Sequence, residues 1–315
     1  MDKKIDVHNR ATPPVKLYDL VKMDDPEEVL KEIKQIISFM YGDFDLETFE
    51  SAFSDTVKLF EGRYPGYRPC NTEYHDLIHT MNTLLAMVRL MHGYKIKMGL
   101  LSKNMVLLGM ISALFHDTGY IQKTGDKKGT GARYTLNHVE RSIRFAKDYL
   151  SSKGFSQKEI QDCASMLRCT IVSIDIESIR FGSDETKIIG KMLGTADFLG
   201  QMADRTYLEK LLFLFREFME GNIIGFKSEI DLFKKTISFY DSVRTRFKEQ
   251  LDNMDHYAVY HFKARWGIND NLYEKAIESN IQYLRNIMEN YTRDYLEHLK
   301  RGNIVEQYIS QKQRL

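Results

Sequence analysis

The chain has little that would cross-link it or interrupt it. Its 315 residues include three cysteines, five prolines and one tryptophan. The thiols Cys70, Cys163 and Cys169 are odd in number and form no CxxC pair, which argues against a disulfide framework and against a cysteine-built zinc site. Net charge is missing too. The 45 Lys and Arg nearly cancel the 44 Asp and Glu, so no global basic field exists to hold duplex nucleic acid through counterion release. No stretch approaches the roughly 18–20 uncharged apolar residues of a membrane span, and the opening MDKKIDVHNRATPP carries no apolar h-region. These absences predict a cytoplasmic protein that engages neither membrane nor duplex nucleic acid and binds any anionic ligand locally.

What is present is helix. An apolar content of 43% over this length suffices for a full core. Leu, Met, Lys and Glu dominate long windows whose apolar residues recur at three and four rather than two, so the expected fold is all-α. Pro13 and Pro14 close a polar lead-in. PEEVLKEIKQIISFMYG (26–42) and LETFESAFSDTVKLFEG (46–62) then form two amphipathic helices ending near glycine. They suggest a helical extension over 1–62, packed on a main domain over 63–315.

Within that domain a helix is predicted from His75 to Met91. NMVLLGMISALFHD (104–117) is apolar on nearly every face, which marks a helix surrounded by others. The glycine- and charge-rich GYIQKTGDKKGTGARYT predicts an exposed, mobile loop. Asn137 with Glu140 three residues on has a capping-box pattern, opening a helix at His138. Further helices are expected at QKEIQDCASMLRCTIV, at ETKIIGKMLGTADFLGQMADRTYLEKLLFLFREFME with a break in its middle, from Glu229 to Leu251, and from Asn271 to Arg301.

Chemistry concentrates in three places. In NTEYHDLIHT (71–80), His75 and His79 stand four apart; on a helix their side chains would lie one above the other and could address a metal ion, a reacting group or nothing. In ALFHDTGY, His116 and Asp117 end the wholly apolar helix. A carboxylate among core residues costs several kcal/mol, on the order given for buried charges, unless a cation meets it. Imidazole beside carboxylate suits Zn, Mn or Fe, and the helix C-terminus favours positive charge. A plain helix cap, with His116 hydrogen-bonded and Asp117 turned outward, fits that dipeptide equally well. Asp197 follows Ile189 by eight and Leu193 by four, which puts a third ionisable group on a core-facing stripe. For that aspartate alone a structural salt bridge would serve.

The ordered set of His79, His116–Asp117 and a distant Asp197, all on predicted helices, resembles the metal-ligand order of the HD-domain phosphohydrolase superfamily. YHDLIH resembles the Tyr-His-Asn-x-x-His signature of cyclic-nucleotide phosphodiesterases. The resemblance implies a compact multi-helix bundle with a central metal site. By that resemblance His79, His116, Asp117 and Asp197 hold a first metal (Zn, Mn, Fe or Ni). Asp117 also bridges to a second (Mg or Mn), and His138 is a second-metal ligand or a partner of one. His75 becomes the general acid that protonates the leaving oxygen, while a metal-bridged hydroxide attacks phosphorus. The chain departs from the pattern at Asp76, which replaces the signature asparagine and puts a negative charge beside the proposed acid, and at Tyr120, where a further histidine is expected.

Tyr74, Lys127, Lys128, Arg133 and Arg205 are candidates for substrate contacts, the last because it follows Asp197 by about two helical turns. A loop charge run is more often a solvated face. Tyr257, Tyr260, His261 and Trp266 could wall a flat group, although aromatics at helical spacing are more often core. The resemblance implies a metal-dependent phosphodiesterase acting on a small phosphorylated substrate such as a nucleotide, with a homodimer compatible. A nucleoside phosphomonoesterase or polyphosphate hydrolase is the neighbouring alternative. A non-catalytic metal-binding regulatory domain is the alternative of another class.

Overall fold

Side-chain caps set most helix starts. Asp25, Asp45, Ser102, Ser156, Ser183 and Ser228 each accept a backbone N–H in the first turn that follows, satisfying a donor the helix itself cannot. The computed structural model describes residues 15–99 and 101–313, so the lead-in closed by Pro13 and Pro14 lies outside the described residues. Among the described residues thirteen α-helices follow in order: α1 (Leu17–Leu20), α2 (Pro26–Met40), α3 (Leu46–Phe60), α4 (Leu77–Met98), α5 (Lys103–Phe115), α6 (His138–Ser152), α7 (Gln157–Arg168), α8 (Asp184–Met202), α9 (Tyr207–Glu220), α10 (Glu229–Glu249), α11 (Tyr257–Trp266), α12 (Leu272–Asn290) and α13 (Ile304–Lys312). The described residues form no β-strand, only one isolated bridge between Tyr67 and Lys123. The all-α class expected from periodicity is the one the chain adopts.

Helices α4 and α5 are buried on every side and form the axis of the bundle. Around them pack α2, α3, α7, α8 and α11, and one hydrophobic core runs from Leu17 to Tyr308. Glycine permits the closest crossing near the histidines: a Cβ at Gly200 of α8 would stand 2.8 Å from the Thr83 amide nitrogen of α4. No helix among the described residues is long and apolar enough to cross a membrane.

Several local expectations need correction. Helix α4 begins at Leu77, so His75 lies ahead of it and the two histidines do not share a helical face. The reason is Asp76, whose side chain accepts the His79 N–H at 2.8 Å as an N-cap and so fixes the start one residue later. Asn137 makes no side-chain cap, because its backbone is not extended and its own N–H closes a turn onto Tyr134. The final helix stops at Asn290, where YTRDY breaks the apolar stripe, and resumes as α13.

The glycine-rich loop is also more anchored than its composition suggests. Ile121, Gln122, Gly131 and Ala132 are buried. Gln122 Oε1 accepts from Arg68 (2.8 Å) and Asn71 (3.0 Å), the Gly131 amide donates to Asn71 Oδ1 (2.8 Å), and Thr130 Oγ1 donates to Glu220 (2.6 Å). The aromatic cluster on α11 does not line the cavity described below: Tyr257 and Trp266 are half-buried against the core, and Tyr260 is half-exposed. Its helix packs on the far half of α4, where His261 is fully buried against His92.

Candidate metal centre

Three helices deliver the converging groups. His79 sits in the first turn of α4, His116 caps the C-terminus of α5 with Asp117 next to it, and Asp197 lies in α8 where that helix crosses α4. His116 Nδ1 meets the Ala113 carbonyl oxygen at 2.8 Å, which turns Nε2 inward. His79 Nε2 then lies 3.1 Å from His116 Nε2, 3.3 Å from Asp117 Oδ2 and 3.2 Å from Asp197 Oδ1. His116 Nε2 is 3.3 Å from Asp117 Oδ2 and 3.7 Å from Asp197 Oδ1.

These separations suit a cation. Donors about 2.0–2.2 Å from one ion stand roughly 3.0–3.5 Å apart when adjacent. His79, His116 and Asp117, all buried, form a group that could hold a metal ion. Asp117 Oδ2 is buried yet in hydrogen-bond geometry with no described group, an orphan that a cation would satisfy. The electrostatics point the same way. Burial alone would lower the His79 pKa, but Asp117 and Asp197 outweigh it and push it up to about 10 in the ion-free protein. Burial opposes ionisation of Asp117 as well, yet His116 and His79 hold its carboxyl well below the usual range. The cluster therefore attracts positive charge, whether protons or a metal.

His138 faces the site, not solvent. Its Nδ1 meets the Thr135 carbonyl oxygen at 2.7 Å and its Nε2 stands 3.7 Å from Asp117 Oδ1. Burial lowers its pKa, which favours the neutral ring, and with Nδ1–H given to the carbonyl its Nε2 would present a lone pair beside the Asp117 carboxylate. This approach depends on Gly119, where a Cβ would fall 1.9 Å from the His138 carbonyl oxygen. The Gly119 amide donates to Ser142 Oγ (2.9 Å), and that hydroxyl donates to the His116 carbonyl (2.6 Å), tying α6 to the end of α5.

The other histidine of the pair has a different setting. His75 Nδ1 is 2.6 Å from Glu217 Oε2 on α9, and Glu217 Oε1 accepts the Glu73 and Tyr74 amides at 2.8 and 2.7 Å. Asp76, expected beside this ring, instead caps α4 and pairs with Lys210 at 3.5 Å. Tyr120 fills the position of the missing histidine with stacking contacts: its ring lies near-parallel to those of His75 (4.3 Å) and His138 (4.6 Å). Tyr74 donates to Gln201 Oε1 (3.2 Å), and Gln201 donates to Asp197 Oδ1 (2.8 Å).

Sequence reasoning overlooked Glu217 and Gln201. Glu217 follows Phe213 by four and Leu214 by three, so it carries the same sign, a carboxylate on an apolar stripe, that singled out Asp197. Gln201 follows Asp197 by four, a spacing that brings side chains together on a helix.

Tyr74, His75, Asp117, His138 and Asp197 all open on one cavity of about 790 Å³. The predicted loop cations are not among the residues lining it. Lys127 and Lys128 are exposed, and Arg133 pairs with Asp126 at 3.1 Å. Arg205 does not reach it either, because α8 ends at Met202 and the guanidinium lies over the Tyr18 ring, 5.0 Å from its centroid.

A family model described as Npun_R2479-like matches residues 124–259, a stretch that contains His138, Asp197 and Glu217 but not His75, His79, His116 or Asp117. No curated protein and no solved structure matches the chain.

Proposed function

We propose that the protein is a metal-dependent phosphohydrolase acting on a phosphodiester. The observation that carries this reading is the pairing, at one cavity, of a buried His/His/Asp cluster with a histidine that a carboxylate orients from behind. The order of those residues along the chain, with its likeness to the HD-domain phosphohydrolases, supports it. His79, His116, Asp117 and Asp197 are the groups that would hold a first divalent cation. Asp117 Oδ1 and His138 Nε2 would contribute to a second. When bound, such cations supply Lewis acidity and charge neutralisation for a phosphoryl group.

The chain's own residues do the rest. Glu217 holds His75 at Nδ1, so Nε2 is the nitrogen available to deliver a proton to the leaving oxygen. Tyr120, stacked on both His75 and His138, orients both ring planes. Gln201 links Tyr74 to Asp197 and limits the rotation of that carboxylate. A domain kept only for its metal would have no use for a positioned proton donor, which favours catalysis over the regulatory alternative.

The test is metal analysis of purified protein followed by a phosphodiester panel with added Mn or Mg. Bound or activating divalent metal and hydrolysis abolished in His75→Ala are expected. Absence of any metal binding would end this reading.

A further inference from the structure

Resting on that reading of the site, we propose that its substrate is an amphiphilic phosphodiester, one phosphate joined to a long apolar chain, and not a nucleotide. The argument comes from the walls of the cavity away from the histidines. Leu214, Phe218, Ile223, Phe226 and Phe239 form them, all half-buried, and Phe218 stacks on Phe226 with ring centroids 5.2 Å apart. The mouth is apolar too: Leu136 is 76% exposed and Val172 54%, both on the rim. Exposed aliphatic side chains around an apolar cavity suit a ligand that is itself apolar.

The serine and threonine hydroxyls along the walls are already engaged. Thr135, Thr170 and Thr236 donate to the carbonyls of Ala132 (2.6 Å), Leu167 (2.9 Å) and Leu232 (2.9 Å). Ser238 and Ser242 donate to the carbonyls of Lys235 (3.0 Å) and Ser238 (3.2 Å). Gln201 is occupied at both ends by Tyr74 and Asp197. A hydroxyl has one proton to give, so none of these serines and threonines can donate to a base edge or a sugar without breaking a bond to the protein, while Gln201 keeps one amide N–H beyond the one it gives Asp197. Of the other polar side chains of the lining, Asn137, Glu140 and Ser173 are at the exposed rim, and Tyr207 of α9 is buried in the wall.

Charge gives the same result. Apart from histidines, the only cation in the lining among the described residues is Lys235, whose ammonium is held by Asp231 (2.9 Å) and the Gly225 carbonyl. A polyphosphate would leave several charges without partners. One phosphate at the histidine end, with the remainder of the ligand apolar, matches the distribution of charge.

The experiment uses the whole chain loaded with Mn and a set of p-nitrophenyl phosphodiesters whose second ester group is methyl, butyl, octyl or thymidine. Each buried methylene contributes roughly 3- to 4-fold in affinity, so kcat/KM should rise by about 100-fold or more from methyl to octyl. The octyl ester should also exceed the thymidine ester. In Phe226→Gln the octyl-to-methyl ratio should fall by about 10-fold, given the methylenes that ring covers. Binding of octyl, butyl and methyl phosphate is measured in parallel by calorimetry, which requires no turnover. Chain-length-dependent binding without hydrolysis of any ester would support the amphiphile and defeat the phosphohydrolase reading. Hydrolysis that is indifferent to chain length, or fastest with thymidine, would overturn the amphiphile and leave that reading intact. Equal binding of all three phosphates would overturn it as well.

Discussion

Helix α4 carries a histidine pair near each end, and the two pairs have opposite electrostatics. Near its N-terminus His79 Nε2 lies 3.1 Å from His116 Nε2; near its C-terminal half His92 Nδ1 lies 2.8 Å from His261 Nδ1. Both pairs are buried and both sets of rings meet edge to face. The difference is in their neighbours. Asp117 and Asp197 flank the first pair and push His79 up to about 10. No carboxylate stands within salt-bridge distance of the second among the described residues. Burial, with Arg265 nearby, pushes His92 down to about 4, and burial with Arg89 holds His261 well below its ordinary value. Arg89 itself is fully buried, with its guanidinium near the rings of Phe262, Trp266 and Tyr273. Two close imidazoles therefore do not by themselves make a group that could hold a metal. The carboxylates beside the first pair set it apart, by supplying negative charge that only a proton or a cation can balance.

The largest effect should come from removing that charge. Asp117→Ala is expected to lose bound metal and at least about 10³-fold in hydrolysis, read by metal analysis and a phosphodiester assay. Retention of full metal content would refute the ligand set. Next, His75→Ala should keep its metal and lose about 10²–10⁴-fold in kcat, since it removes a proton donor and no ligand. Glu217→Gln, which alters only the group behind that ring, should cost about 10–100-fold with metal content unchanged. An unaffected rate in Glu217→Gln would mean that the 2.6 Å contact is structural.

The second pair offers the control. His261→Phe leaves His92 Nδ1 without its buried partner, so a stability loss of about 1–3 kcal/mol is expected in a denaturant titration, with metal content and hydrolysis unchanged. Altered metal content in that variant would show that the two ends of α4 are coupled. The smallest effect is in pH. His92 has a folded pKa below its unfolded value, so the unfolded chain binds the extra proton first and stability falls as pH drops from about 6.5 toward about 4. His79 has the opposite sign: in ion-free protein its contribution is complete below about 6.5 and is lost as pH rises through about 10. Metal should abolish the alkaline branch and leave the acid one, and thermal melts with and without Mn can separate them.

Much of this was legible before the structure. The all-α class follows from apolar spacing, and the burial of Asp197 follows from its place on an apolar stripe, whereas the sequence left open whether Asp117, just past the end of its apolar helix, turns inward or outward. Boundaries were less legible. His75 and His79 look equivalent in sequence because a spacing of four implies a shared face, and only the cap formed by Asp76 separates them. The glycine-rich loop reads as solvated because its anchors, Arg68, Asn71 and Glu220, lie far away in the chain.

The sequence by itself determined which groups would be forced into the interior: helical periodicity is local, and a carboxylate on an apolar stripe must be buried wherever that helix packs. Only the tertiary structure decided what each buried group meets. Glu217 reaches His75 from 142 residues away, Tyr120 stacks on two histidines, and the cavity beyond them is walled by α9 and α10. Those encounters depend on how helices cross, and the crossings are set by close-packed contacts between distant segments, at Gly119 and Gly200 among others, that no local pattern records.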